Sequence, residues 1–189
     1  MRSNARSRGF SLLELMAVMA ILSVLSMVAI FSYKVYIRKA RNGEAVAFLM
    51  DIKMKQETYF MAYSRYVSTT ATGPDGWFPS TANFTYTPSP WVAGSTLSCD
   101  PTPTDAAIIG FCALGLAPTS PETFFQYVTM GWSPGVDAST ITPTFIRDTA
   151  RRWWFARSRG YAGTGSTMPF EFRISSELNE IIEIPPTTP

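Results

Sequence analysis

The chain has 189 residues with no histidine and two cysteines, Cys99 and Cys112. That excludes a Ser-His-Asp or Cys-His nucleophile, a His-ligated metal and a four-cysteine zinc site. Sixteen Lys+Arg against fourteen Asp+Glu give +2, too little to argue for nucleic acid from net charge; charged residues are only 16% of the chain, and they are unevenly placed.

Residues 1–9 carry Arg2, Arg6 and Arg8 and no acid. From Leu15 to Tyr33 the chain then runs without a charge, a glycine or a proline. As a helix that run covers about 28 Å at ~1.5 Å per residue, close to the ~30 Å hydrocarbon core of a bilayer. The preceding arginines place the N-terminus in the cytoplasm and the chain after about Lys34 outside. Lys34, Arg38, Lys39 and Arg41 follow the run and reduce that asymmetry. The run is longer than a signal-peptide core and no small-x-small cleavage site follows it, so a retained single-pass anchor is expected. Glu14 stands at its start. An ionised carboxylate deep in a span costs about 2–3 kcal/mol and is normally kept for a partner. In the headgroup zone it would instead gain modestly from the helix dipole. The residue alone leaves both readings open.

Arg8-Gly9-Phe10-Ser11-Leu12-Leu13-Glu14-Leu15, with its basic leader and apolar sequel, resembles the prepilin peptidase site of type IV pilins and type II secretion pseudopilins. The resemblance covers about residues 6–40. It implies cleavage after Gly9, N-methylation of the exposed Phe10, and pairing of Glu14 with the N-terminal amine of a neighbouring subunit. A buried carboxylate is tolerable when it meets a cation in this way. Major pilins carry a helix-kinking proline where this chain has Phe31, so the resemblance points to a minor subunit. The implied partners are other pilin subunits, the prepilin peptidase/N-methyltransferase and an inner-membrane assembly platform. The implied location is the inner membrane, with the C-terminus outside, and then a pilus filament. On this reading the chain is a structural subunit, not an enzyme, without cofactor or metal. A type II secretion pseudopilin is the alternative within the class. A bitopic, membrane-anchored binding or enzymatic domain, unprocessed at Gly9, is the alternative outside it.

The four segments expected are a cleaved leader at 1–9, a membrane and filament-core helix at 10–37, an amphipathic continuation at 38–66 and a globular region at 67–189. In the continuation, Ala45, Leu49, Ile52, Gln56, Tyr59, Tyr63 and Tyr66 recur by three and four and draw one core face, apolar except at Gln56. Asp51 and Lys55 make an i,i+4 pair off that face. The helix from about Phe10 to about Tyr66 would be roughly 85 Å long at ~1.5 Å per residue.

From Val67 to Glu122 the chain turns to Thr, Ser, Pro and Gly and holds eight of the fourteen prolines. Short extended pieces are expected at 83–87 and 108–116. Outside the membrane, Cys99 and Cys112 would form one disulfide, constraining the loop by ~3 kcal/mol in the chain-entropy model; two free thiols are the other reading. Asn83-Phe84-Thr85 fits a glycosylation sequon by chance. Strands are expected at 124–132, 151–159, 170–175 and 180–184, joined by short turns. Phe170, Phe172 and Ile174 should point inward. One long helix followed by these strands reads as α+β, a long N-terminal helix packed on a C-terminal antiparallel sheet, which is also the pilin architecture.

Arg151-Arg152-Trp153-Trp154-Phe155-Ala156-Arg157-Ser158-Arg159 is the basic, aromatic cluster. Arg151, Arg152, Trp153, Arg157 and Arg159 could contact DNA or another anionic surface by charge and stacking. The plainer reading is a sheet strand whose aromatics pack and whose arginines pair with acids. Residues 160–166 read as a hairpin turn, since no lysine or helix follows to make a phosphate loop.

Overall fold

The computed structural model describes residues 11–70, 73–79, 89–91, 106–117, 120–133, 146–148, 150–161 and 169–185. Helix α1 runs Leu12–Tyr63. The contacts divide the chain into two units, Met1–Ala40 and Arg41–Pro189. In the first unit the apolar residues of α1 from Leu12 to Tyr33 are exposed, and this stretch is long and apolar enough to cross a membrane. In the second unit α1 buries Ala45, Phe48, Leu49, Ile52 and Gln56. The three-and-four spacing read from the sequence therefore lies on the core, with Phe48 added to it.

The tyrosine end of that face is different. Tyr63 is 63% exposed, because α1 ends there. Ser64 takes a left-handed φ of 55° and its N–H donates to the Phe60 carbonyl at 2.8 Å. The chain turns out of the helix, and Tyr66 re-enters the core against Phe60, ring centroids 4.6 Å apart. Asp51 and Lys55 are not joined within the 4.0 Å of an ion pair.

Residues 108–116 are not extended. Ala106–Leu114 is helix α2, closed by Gly115 at φ 63°. Leu116 N–H donates to the Phe111 carbonyl and Gly115 N–H to the Cys112 carbonyl, both at 2.9 Å, the paired bonds of a glycine-terminated helix end. The short strands β1 (Ser89–Pro90) and β2 (Glu122–Thr123) pair antiparallel. The expected strand at 83–87, the sequon Asn83 and the 162–166 part of the expected turn lie outside the described residues.

Four strands form the main sheet: β3 (Gln126–Gly131), β4 (Trp154–Tyr161), β5 (Pro169–Ser175) and β6 (Leu178–Ile184). They lie in the order β3-β4-β5-β6, every pair antiparallel. The α+β arrangement expected from the sequence is the one observed. The connections are not all short: residues 132–153 separate β3 from β4, whereas only Ser176 and Glu177 separate β5 from β6.

The sheet is covered on both faces, which is why β3 is buried along its whole length. Tyr127, Trp154, Ala156, Phe172 and Ile174 join the α1 residues Phe48, Leu49 and Ile52 in the larger core, with Phe48 and Tyr127 centroids 4.4 Å apart. On the opposite face Val128, Met130, Trp153 and Phe155 form a second core with Trp77 and Ile146.

Candidate functional sites at the helix start and on the sheet

The first turn of α1 is a reciprocal cap. Ser11 Oγ accepts the Glu14 N–H at 3.2 Å. In return the Ser11 N–H donates to Glu14 Oε2 at 2.9 Å, and the Ser11 hydroxyl reaches the same oxygen at 3.0 Å. This is the S-x-x-E capping box, which satisfies helix-start donors that would otherwise face an apolar medium. Gly9 and Phe10 lie outside the described residues.

The arginine and aromatic cluster does not act as one patch, because strand alternation divides it. Arg151 is an exposed partner of Asp148, Nε to Oδ2 3.0 Å. Arg152 lies over Phe60 and Trp132, 5.1 and 5.4 Å from the ring centroids. Trp153 is 1% exposed and stacks on Phe155, so it offers no face to a ligand. Arg157 and Arg159 point from β4 to the sheet face that carries the second core.

There they meet residues that the linear sequence did not bring together. Arg157 bonds Glu171 through two nitrogens, NH2 to Oε2 at 3.1 Å. Arg173 holds the same carboxylate, with Nε 2.7 Å from Oε1. Arg157 also donates to the Pro74 carbonyl at 2.9 Å and reaches Asp75 at 3.3 Å. Arg159 donates to Gln126 Oε1 at 2.9 Å. The Trp77 ring takes both guanidinium groups, 4.7 Å from Arg157 and 4.3 Å from Arg159. Arg157 and Arg173 thus share one half-buried carboxylate, and Arg157 and Arg159 share one tryptophan. Burial raises the Glu171 carboxyl, but the hydrogen bonds and charges of Arg157 and Arg173 outweigh it and hold the group below its ordinary value.

The face has a sequence signal. Phe170, Phe172 and Ile174 point to the core, so Glu171 and Arg173 must point to the other side, where the register places Arg159 opposite Glu171 and Arg157 opposite Arg173. Trp77 had no such signal, since it comes from a segment without periodicity.

Elsewhere, Cys112 sits half-buried on α2, while Cys99 lies outside the described residues. Among the described residues no group of three or more acidic or cysteine side chains is gathered as a metal site.

Two family models match the chain. The prokaryotic N-terminal methylation motif matches residues 4–30, the segment holding Gly9, Phe10, the capping box and the apolar half of α1. The type IV minor pilin ComP family, described as a DNA uptake sequence receptor, matches residues 32–105. The two matches support a type IV minor pilin. The main sheet lies outside both matches, and no curated protein and no solved structure matches the chain. As a pilin it is a membrane-anchored structural subunit of a pilus, and its family assembles with other pilins after the prepilin peptidase has acted.

Proposed function

We propose that this minor pilin is cut between Gly9 and Phe10, methylated on Phe10, and drawn into a filament by pairing of Glu14 with the N-terminal amine of a neighbouring subunit. The observation that carries this reading is the first unit itself: an apolar helix exposed on all sides, capped at a single carboxylate, inside the matched methylation motif. Before assembly the subunit spans the inner membrane once, with its C-terminus outside, as Arg2, Arg6 and Arg8 dictate. There it meets the peptidase/N-methyltransferase and the assembly platform. The chain has no catalytic role of its own. Intact mass of membrane-expressed protein tests the processing: a chain beginning at Phe10 and heavier by one methyl is expected, and an uncut Met1 overturns it. Glu14→Ala should leave membrane insertion intact and abolish incorporation into filaments.

A Cys99–Cys112 disulfide is part of the proposal. It would tie the proline-rich connection to α2, contributing ~3 kcal/mol in the chain-entropy model. Mass before and after reduction and alkylation shows whether the pair is closed.

A second reading is favoured by the sheet face together with the description of the matched family as a DNA receptor. Arg157, Arg159 and Arg173 gather on one sheet face beside an indole, with Glu171 and Asp75 among them, and guanidinium groups are suited to phosphate contacts. Arg159→Gln in the detergent-solubilised full chain should lower the salt slope of duplex binding by about one, with weaker binding across all sequences. Unchanged binding and slope would remove this face from the DNA reading.

A further inference from the structure

We infer that Ser11 is a positioning residue for assembly: it fixes one oxygen of Glu14 in its own helix and presents the other to the incoming subunit. The inference rests on the Glu14 pairing proposed above. Both Ser11 donors converge on Oε2, the N–H at 2.9 Å and the hydroxyl at 3.0 Å. Among the described residues Oε1 receives no hydrogen bond. A carboxylate has about four lone-pair sites, so two bonds on one oxygen leave capacity for a cation on the other. The Ser11 hydroxyl also takes the Glu14 N–H at 3.2 Å, so backbone and side chain of Glu14 are fixed by one residue.

The physical consequence is a carboxylate that does not have to search. A free glutamate loses rotamer freedom on being ordered against a partner. Here that ordering is made in advance, within the subunit, and the loss on pairing is correspondingly smaller. The same bonds partly satisfy the carboxylate while the subunit waits in the membrane, where an unpartnered charge is expensive. Ser11 lies one residue inside the proposed cleavage point, and its N–H remains a peptide amide in the mature chain, so the cap survives processing.

The test compares Ser11→Ala, Ser11→Thr, Ser11→Asp and Glu14→Ala in cells carrying the filament machinery. Only subunits shown by mass to begin at residue 10 are scored, which separates assembly from cleavage. Ser11→Ala should lower incorporation about fivefold at equal membrane level, and Ser11→Thr, which keeps the hydroxyl, should stay within about twofold of wild type. Ser11→Asp keeps a capping acceptor but cannot donate a side-chain hydrogen bond to Glu14, so it should not restore assembly. Wild-type incorporation of Ser11→Ala, or rescue by Ser11→Asp, overturns the inference; the second would assign Ser11 a helix cap only. If Glu14→Ala fails while Ser11→Ala assembles normally, the inference falls and the Glu14 reading stands. If Glu14→Ala itself assembles normally, the reading beneath it falls.

Discussion

Gln56 is the polar interruption on the apolar face of α1, and the structure gives it a task. Its amide donates to the Val67 carbonyl at 2.7 Å and to Thr129 Oγ1 at 2.9 Å, while its carbonyl accepts the Val67 N–H at 3.0 Å. Thr129 passes its own hydroxyl to the Phe155 carbonyl at 2.9 Å. One buried side chain therefore ties the helix, the segment leaving it and two sheet strands. Gln56→Leu matches the volume but strands the Val67 groups without partners. That should cost about 1–3 kcal/mol, read as a lower denaturation midpoint of the detergent-solubilised chain; an unchanged midpoint would show that water replaces the amide. Glu171 makes a second prediction at this scale. Its carboxyl is held below the ordinary 4.5 by Arg157 and Arg173. Such a group contributes stability that is complete above the unfolded value and is lost as pH falls through the native one. Glu171→Gln should lower stability at neutral pH and flatten the acid side of the stability profile. A profile with the same acid slope would show that Glu171 does not set it.

At the scale of elements, what could be read from the sequence was what repeats. The core face of α1 followed from spacing, and so did the inward residues of β5, because period and burial agree. Helix α2 did not follow. Ile108-Ile109-Gly110-Phe111-Cys112-Ala113-Leu114 has no charge to mark an outer face, so periods of 2 and 3.6 fit equally. Gly115 was the available signal, as the residue that ends the helix in the left-handed region. The segment after α1 was also illegible, because it is fixed by contacts with distant strands. Tyr66 N–H donates to the Trp132 carbonyl at 3.0 Å and Thr69 N–H to the Thr129 carbonyl at 2.9 Å, covering the outer edge of β3. That approach needs Gly131, where an added Cβ would lie 2.2 Å from the Tyr66 Cβ. Gly131→Ala should therefore destabilise by about 1–3 kcal/mol through forced backbone shift. An equal denaturation midpoint would mean that the 66–69 segment can lift without loss.

For the whole molecule, the two units obey opposite burial rules. The second unit places its large aromatics inside two cores, whereas the first exposes Leu12, Leu22, Leu25, Ile30 and Phe31. No soluble chain gains by that, since each exposed leucine forgoes about 1.5–3 kcal/mol of burial. On the proposed reading, lipid and later other helices supply the missing contacts. The two candidate sites were legible to different extents: the helix-start motif is local in sequence, as eight consecutive residues carry it, while the arginine face needs three strands and a loop. Charge placement follows the division, because the leader holds three of the sixteen cations, and its proposed removal leaves thirteen Lys+Arg facing fourteen Asp+Glu. Leu22→Arg, near the centre of the apolar run, then distinguishes lipid burial from a merely exposed helix. A cation there costs about 2.5–3.5 kcal/mol on insertion scales. The variant should be largely lost from the alkali-resistant membrane fraction, whereas Met54→Arg, at an exposed position of α1 in the second unit, should remain in it. Retention of both variants at the wild-type level would show that the apolar half of α1 does not reside in the bilayer core.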